Sequence, residues 1–405
     1  MSGVTDAMTP DAAPPSVGTT HAPRDYPQAQ REYPQALRGP WHRWWRPLLG
    51  VGVIAAGTVL LFGAMLVYAL VVVVAQSLGV QLPDPSSVTD AWFASPAGLL
   101  VTNLGLALGI PLALVATWAQ AKRAGLVSSV AGRVRWRLLL GGLGVALLLL
   151  VPLTLGSDLL LTQLGLPADD GSGAGAGADE SGWWPLTPAS AWLALAVVIL
   201  LTTPLQAAGE EYFFRGWLSQ WIGSWLRWRW LAVVVPAVVT GLLFALAHGT
   251  QNPWLFADRL VFGLIASLLA WRTGGLECAV ALHVANNLLA FGLAIAYDTL
   301  EDSLLITEVA PVDGAVSIGV TVVTAAALLW WARRRRPALV VTDPVVTDSV
   351  VMDPAGMGPV AMNPAVMNPA VMNPAATDSP VMDPAVMDSP VMDRAAFGPA
   401  EGETA

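Results

Sequence analysis

Two adjacent glutamates, Glu210 and Glu211, stand with Arg215 in "AAGEEYFFRGW", at the end of the apolar run "WLALAVVILLTTPLQ". On a helix Glu211 and Arg215 lie four residues apart on one face and can pair. Glu210 sits one step, about 100°, further round and has no partner within the motif. It is a candidate general base, a carboxylate placed to take a proton from water. The plainer alternative is an interfacial charged cluster that ends the helix. In "FALAHG", Phe244 and His248 share a helix face, with Phe244 a candidate pocket wall and His248 a candidate polar contact. In "HVANN", His283 and Asn287 do the same between the apolar flanks "CAVAL" and "LLAFG". Ionisable residues inside apolar spans are costly and are functional candidates by default. Their plainer reading is hydrogen-bonding glue between helices.

Taken together, the three motifs suit hydrolysis of an amide. Glu210 would take a proton from water, and His248 would help to hold that water. His283 and Asn287 would stabilise the oxyanion as the carbonyl becomes tetrahedral. Glu210, His248 and His283 are also a possible zinc ligand set with an open position for water. The HExxH spacing of soluble zinc proteases is absent, so zinc is a candidate cofactor beside a metal-free mechanism.

The elements that must position these residues are membrane helices. The chain has 405 residues, 55% of them hydrophobic and 12% charged, against about a quarter charged in a soluble domain. Eight apolar runs of near-spanning length are expected as helices, at roughly 48–75, 97–119, 137–156, 190–212, 231–248, 255–271, 276–297 and 315–332. The fold class expected is an all-α integral membrane protein, a bundle of about eight transmembrane helices with a polar intramembrane cavity. Residues 1–45 form a Pro- and Ala-rich arm expected to be disordered, and 46–336 the membrane domain. Residues 337–405 are a low-complexity tail built on "AMNPAVMNPAVMNPA".

Arginine-rich segments such as "RGPWHRWWRP", "RWRW" and "RRRR" alternate with acidic loops, which by the positive-inside rule puts both termini in the cytoplasm. No signal peptide is read, and the first span is expected to act as a signal-anchor. The net charge of -9 and the placement of the arginines exclude a nucleic-acid partner. The partners expected are the lipid bilayer and a membrane-associated protein or peptide. His21 and His42 lie in the arm. The single cysteine, Cys278, allows no intramolecular disulfide and is read as packing.

The three motifs, EExxxR at Glu210–Arg215, FxxxH at Phe244–His248 and HxxxN at His283–Asn287, resemble those of the CPBP intramembrane proteases. That family includes the type II CAAX prenyl endopeptidases and bacteriocin-processing or immunity-associated (Abi) members. The resemblance covers roughly 185–300. It implies an eight-helix bundle with a cavity opening to the cytoplasm, Glu210 as the activating base, and His248, His283 and Asn287 completing the site. It also implies a metallo- or glutamate-dependent endopeptidase. Few lysines and many Ala, Gly and Pro residues suggest a GC-rich bacterial gene and a bacterial cytoplasmic membrane. The prenylated substrate is therefore not carried over. The alternative function is a non-enzymatic scaffold or immunity-type protein using the same polar cluster for packing. A proton-coupled transporter would be expected to show two related halves, which are not seen.

Helical rise sets one constraint. At ~1.5 Å per residue, Glu210 lies roughly 25 Å above Arg227, His248 roughly 28 Å above Arg229, but His283 only roughly 16 Å above Arg272. The levels agree only if "GWLSQWIGSWLRWRW" turns along the interface, with Trp217, Trp221, Trp225 and Trp228 as anchors, or if the helices tilt. Pro204 and Gly209 are expected to loosen the helix just before the glutamates.

Overall fold

In a bilayer, backbone polar groups find partners only within helices or closed barrels, so apolar runs of this length become helices. The computed structural model describes residues 30–38, 43–80, 90–165 and 190–341, all within one compact unit. His21, His42 and the repeats of the tail lie outside the described residues. Two helices come first, α1 (Arg46–Ser77) and the short α2 (Asp90–Phe93). The pair α3 (Pro96–Ala107) and α4 (Gly109–Ala119) forms one span broken at Leu108, followed by α5 (Trp136–Gln163). Next, α6 (Trp192–Glu211) runs through a π-helical segment, Tyr212–Leu218, into α7 (Ser219–Trp225). The bundle is completed by α8 (Arg229–Leu246), α9 (Pro253–Thr273), α10 (Glu277–Ala296), α11 (Leu300–Leu305) and α12 (Pro311–Arg335).

Seven stretches among the described residues are long and apolar enough to cross a membrane, and they make the chain an integral membrane protein. The first expected run, 48–75, lies within α1, whose 32 residues exceed the roughly 20 that a crossing needs. The sequence sets several boundaries by capping. Ser95 accepts a hydrogen bond from the Gly98 amide (3.1 Å) ahead of Pro96, and Asn252 accepts from Leu255 (2.9 Å) ahead of Pro253. Gly274 ends α9 at φ +68°, which a residue without Cβ adopts without strain.

The bundle surrounds α10. Every residue from Glu277 to Ala285 is buried, and α10 packs against α5, α6 and α9. Against α6 lie α3 and α4, joined by a buried polar clasp in which Asn103 donates to Thr202 (2.8 Å) and Thr203 (3.2 Å). Where α3 passes into α4 the backbones nearly touch α6. A Cβ on Gly209 would run into the Leu106 carbonyl and stand 2.8 Å from the Ala107 Cα. Gly209→Ala is therefore expected to lower stability by about 1–3 kcal/mol, as overpacked sites do, despite alanine's better helix propensity. Thermal unfolding in detergent measures it, and an unchanged midpoint would mean that the two helices can move apart freely.

Of the two alternatives for residues 216–230, a turn or a tilt, the chain shows no break in the helix before Trp225. Residues Trp192–Trp225 form one continuous helical stretch, intact through Pro204 and Gly209, and Trp217 is buried. The departure from α-helix comes after the glutamates, in the π-helical turns. Such turns are frequent at functional sites because the added residue re-aims neighbouring side chains. The polar end of this long helix is covered by protein. Residues 31–37, expected within a disordered arm, hold β1 (Arg31–Glu32) and a 3-10 turn, Tyr33–Gln35. From the tail, β2 (Val340–Val341) pairs antiparallel with β1. The Tyr33 hydroxyl donates to the Val127 carbonyl, Gln35 donates to the Leu226 carbonyl (2.8 Å), and Gln220 donates to the Leu126 carbonyl (2.8 Å). Glu32 pairs with Arg229 at 2.6 Å. These partners satisfy polar groups that an interfacial helix would have left to water.

Candidate active site

The glutamates leave α6 just ahead of the π-helical segment, and the two carboxylates have different surroundings. Glu211 is fully buried. Its Oε1 accepts from Arg215 Nη1 (2.9 Å) and from His283 Nδ1 (2.9 Å). A carboxylate ionised beside a guanidinium only accepts, so the Nδ1 of His283 carries the proton. In the neutral ring, Nε2 is then the unprotonated nitrogen. It faces Glu210 Oε2 at 3.6 Å. The other oxygen of Glu210 accepts from Gln206 Nε2 (2.6 Å). The glutamine's own oxygen accepts from Asn287 Nδ2 (3.1 Å). Gln206 thus bridges Glu210 on α6 to Asn287 on α10.

Arg215 is equally enclosed. Its guanidinium lies 4.2 Å from the ring centroid of Phe244, a cation–π contact that offsets part of its desolvation. Its Nε and Nη2 have no hydrogen-bond partner among the described residues, nor does Glu211 Oε2. Gly263 on α9 makes room for this group, since a Cβ there would stand 2.9 Å from Arg215 Nη2 and 2.9 Å from the Cα of Gly241. Phe244 and Phe262 both meet the imidazole of His283 edge-on, at centroid distances of 5.8 and 5.0 Å. Phe244 is a wall of the site, as its motif suggests, and it also carries the arginine.

Of the residues singled out from the sequence, Glu210, Glu211, Arg215, Phe244, His283 and Asn287 converge. His248 stands apart. It is exposed beyond the end of α8, its Nδ1 bonds the Phe244 carbonyl (2.8 Å), and its ring meets Phe244 edge-on at 4.8 Å. The Phe244 ring thus touches both histidines.

Zinc needs its N and O ligands on one point at about 2.0–2.2 Å. Among the described residues, no three His, Cys, Asp or Glu side chains form such a group. The expected ligand set of Glu210, His248 and His283 is therefore not assembled. Two residues escaped the sequence reading. Gln206 is i, i+4 from Glu210 and so had a spacing signal, whereas Phe262 had none.

Residues 190–289 match the family described as "Type II CAAX prenyl endopeptidase Rce1-like". Two curated bacterial proteins are similar over part of their length. "Uncharacterized protein YyaK" of Bacillus subtilis (strain 168) is 32% identical over 104 residues, 24% of this chain and 32% of that protein. "Uncharacterized 24.3 kDa protein" of Escherichia coli is 37% identical over 90 residues, 22% of this chain and 38% of that protein. The chain thus spans about a third of the length of these relatives. No solved structure matches. The matched stretch begins just ahead of α6 and takes in the two glutamates, both histidines and Asn287, and residues 190–289 are an Rce1-like type II CAAX prenyl endopeptidase (CPBP) family domain within an all-helical membrane protein.

Proposed function

We propose that the chain hydrolyses a peptide bond of a membrane-associated protein or peptide, with Glu210 as the base. The family domain implies an intramembrane protease and hence a protein substrate. The observation that carries the residue assignment is the division between the glutamates. Glu211 is locked between Arg215 and His283, whereas Glu210 is 14% exposed and turns one oxygen towards His283 Nε2.

In this reading Glu210 takes a proton from water while the water oxygen attacks the carbonyl carbon. His283, held in one tautomer by Glu211, orients that water through Nε2. Asn287 gives one N–H to Gln206 and keeps a second for the oxyanion. Collapse of the tetrahedral species breaks the C–N bond. Glu210 returns its proton to the departing amine, which leaves a free carboxyl and a free amino group. His248 works from the rim through its Nε2, the nitrogen not committed to the Phe244 carbonyl.

Comparative membrane proteomics tests this. Cells carrying wild type are expected to hold fragments that vanish with His248→Ala, while the variant still inserts. That substitution removes no bond to Glu210 or His283, so loss of processing reports on chemistry. Fragments persisting at wild-type abundance would remove His248 from the mechanism. A wild type that generates no fragments would favour the non-enzymatic scaffold.

A further inference from the structure

Arg259 on α9 is a half-buried cation outside the hydrogen-bonded cluster of the candidate site. Its Nη1 is buried with no hydrogen-bond partner among the described residues, and none of their carboxylates stands within ion-pair distance of it. The neighbouring Asp258 turns to α12, where its Oδ1 accepts from Ser317 (2.9 Å). A guanidinium withdrawn from water is costly unless an acceptor meets it. Phe262 and Gly263 follow Arg259 by three and four residues and so share its face of α9. That face looks into the site, because Phe262 meets the His283 ring and a Cβ on Gly263 would stand 2.9 Å from Arg215 Nη2. The large exposed apolar side chains of α9, Trp254 and Leu268, lie roughly 140° and 180° round from Arg259, so it stands on a face turned away from lipid. Helix register sets its level. A Cβ on Gly263 would also stand 2.9 Å from the Cα of Gly241, which marks where α8 and α9 meet. From there α8 runs three residues on to Phe244 and seven to His248, while α9, joined to it by a short turn, runs four residues back to Arg259. These are ~4.5, ~10.5 and ~6 Å of helical rise, which puts Arg259 between the two aromatic rings in level. It is close enough for its charge to bear on the His248 imidazole.

We infer that Arg259 binds a carboxylate of the substrate peptide, its C-terminal carboxylate or an acidic side chain, and so selects which peptides are held before Glu210. The inference rests on the hydrolytic reading of Glu210. A carboxylate suits the group, since the planar guanidinium offers it two parallel N–H bonds and the pair is charge-assisted. A face turned away from lipid favours a peptide over a headgroup phosphate. The contact lies away from the scissile bond and changes little as the carbonyl becomes tetrahedral. Its contribution therefore falls on KM rather than kcat.

The experiment uses the full chain in a neutral detergent, with Glu210→Gln as background so that bound peptide is not consumed. The probes are pools of peptides built from Ala, Leu, Ser and Val and dansylated at the N-terminus. One pool has a free C-terminus, one is amidated, and one is amidated but carries an internal Asp. Fluorescence anisotropy reads their binding. A carboxylate pool is expected to bind at least about tenfold more tightly than the uncharged pool, the scale of a hydrogen bond between charged groups. Which of the two does so identifies the carboxylate. Arg259→Gln in the same background is expected to erase the preference, and Arg259→Lys, which keeps the charge, to retain one. Equal binding of all three pools would overturn the site even if Arg259→Gln failed to fold, and would leave Arg259 to a headgroup phosphate. A preference that survives Arg259→Gln would overturn it too. With Glu210 in place, Arg259→Gln is expected to raise KM at least about tenfold on a substrate found by membrane proteomics, with kcat near wild type. A fall in kcat at unchanged KM would overturn the selecting role. If wild type generates no fragments, the hydrolytic reading fails, whereas the anisotropy still decides whether Arg259 holds a carboxylate.

Discussion

Glu210→Gln is expected to reduce the rate of peptide-bond cleavage by about 10²–10⁴-fold, the range spanned by removal of a general base. The effect should fall on kcat. The amide matches the carboxylate in shape, and its oxygen can still accept from Gln206, so KM and the melting midpoint should stay near wild type. The change removes a group that can take a proton from water and leaves the clamp around Glu211 intact. The measurement is initial rates on a substrate found by membrane proteomics, with wild type and variant in the same lipid. Cleavage retained within about tenfold of wild type, below the smallest loss expected for a base, would sink the assignment and turn attention to His283.

The neighbouring glutamate should behave differently. Glu211→Ala strands the buried Arg215 guanidinium and frees His283 Nδ1. Removing one partner of a buried ion pair costs about 3–5 kcal/mol. A large fall in thermal stability in detergent is therefore expected for Glu211→Ala. Pairing it with Arg215→Leu should recover much of that loss, because an apolar pair carries no uncompensated charge. The double variant should nevertheless stay inactive, since nothing would hold His283 in its tautomer. If Glu211→Ala unfolds no more readily than Glu210→Gln, the two carboxylates have not been told apart correctly.

The pairing of Glu211 with Arg215 was legible because it is contained in one turn of helix, where spacing alone sets proximity. The spans were legible because a bilayer imposes length and hydropathy on them. Across helices the information thins. Nothing in the spacing of His283 says that its ring meets Phe262, or that His248 stays outside the cluster. Gln206 escaped notice because a search for charge passes over an uncharged amide, though its spacing from Glu210 was visible. The π-helical turns are a change in hydrogen-bond register, to which hydropathy is blind. The levels of the glutamates and His283 could not be reconciled from rise alone. The order of the arm comes from partners distant in sequence, Val127, Leu226 and Val340.

The ribbon of β1 and β2 also has a consequence in time. Its strands lie on opposite sides of all twelve α-helices among the described residues, so it cannot close until the last helix has left the ribosome. Synthesis is vectorial, and contacts this remote in sequence bear the largest loop-closure entropy. The arm that seats the lower end of α7 is thus in final register only once biogenesis is complete. A nascent chain halted before residue 340 carries both glutamates and both histidines but lacks this clasp, which would keep hydrolytic competence as a late step in maturation.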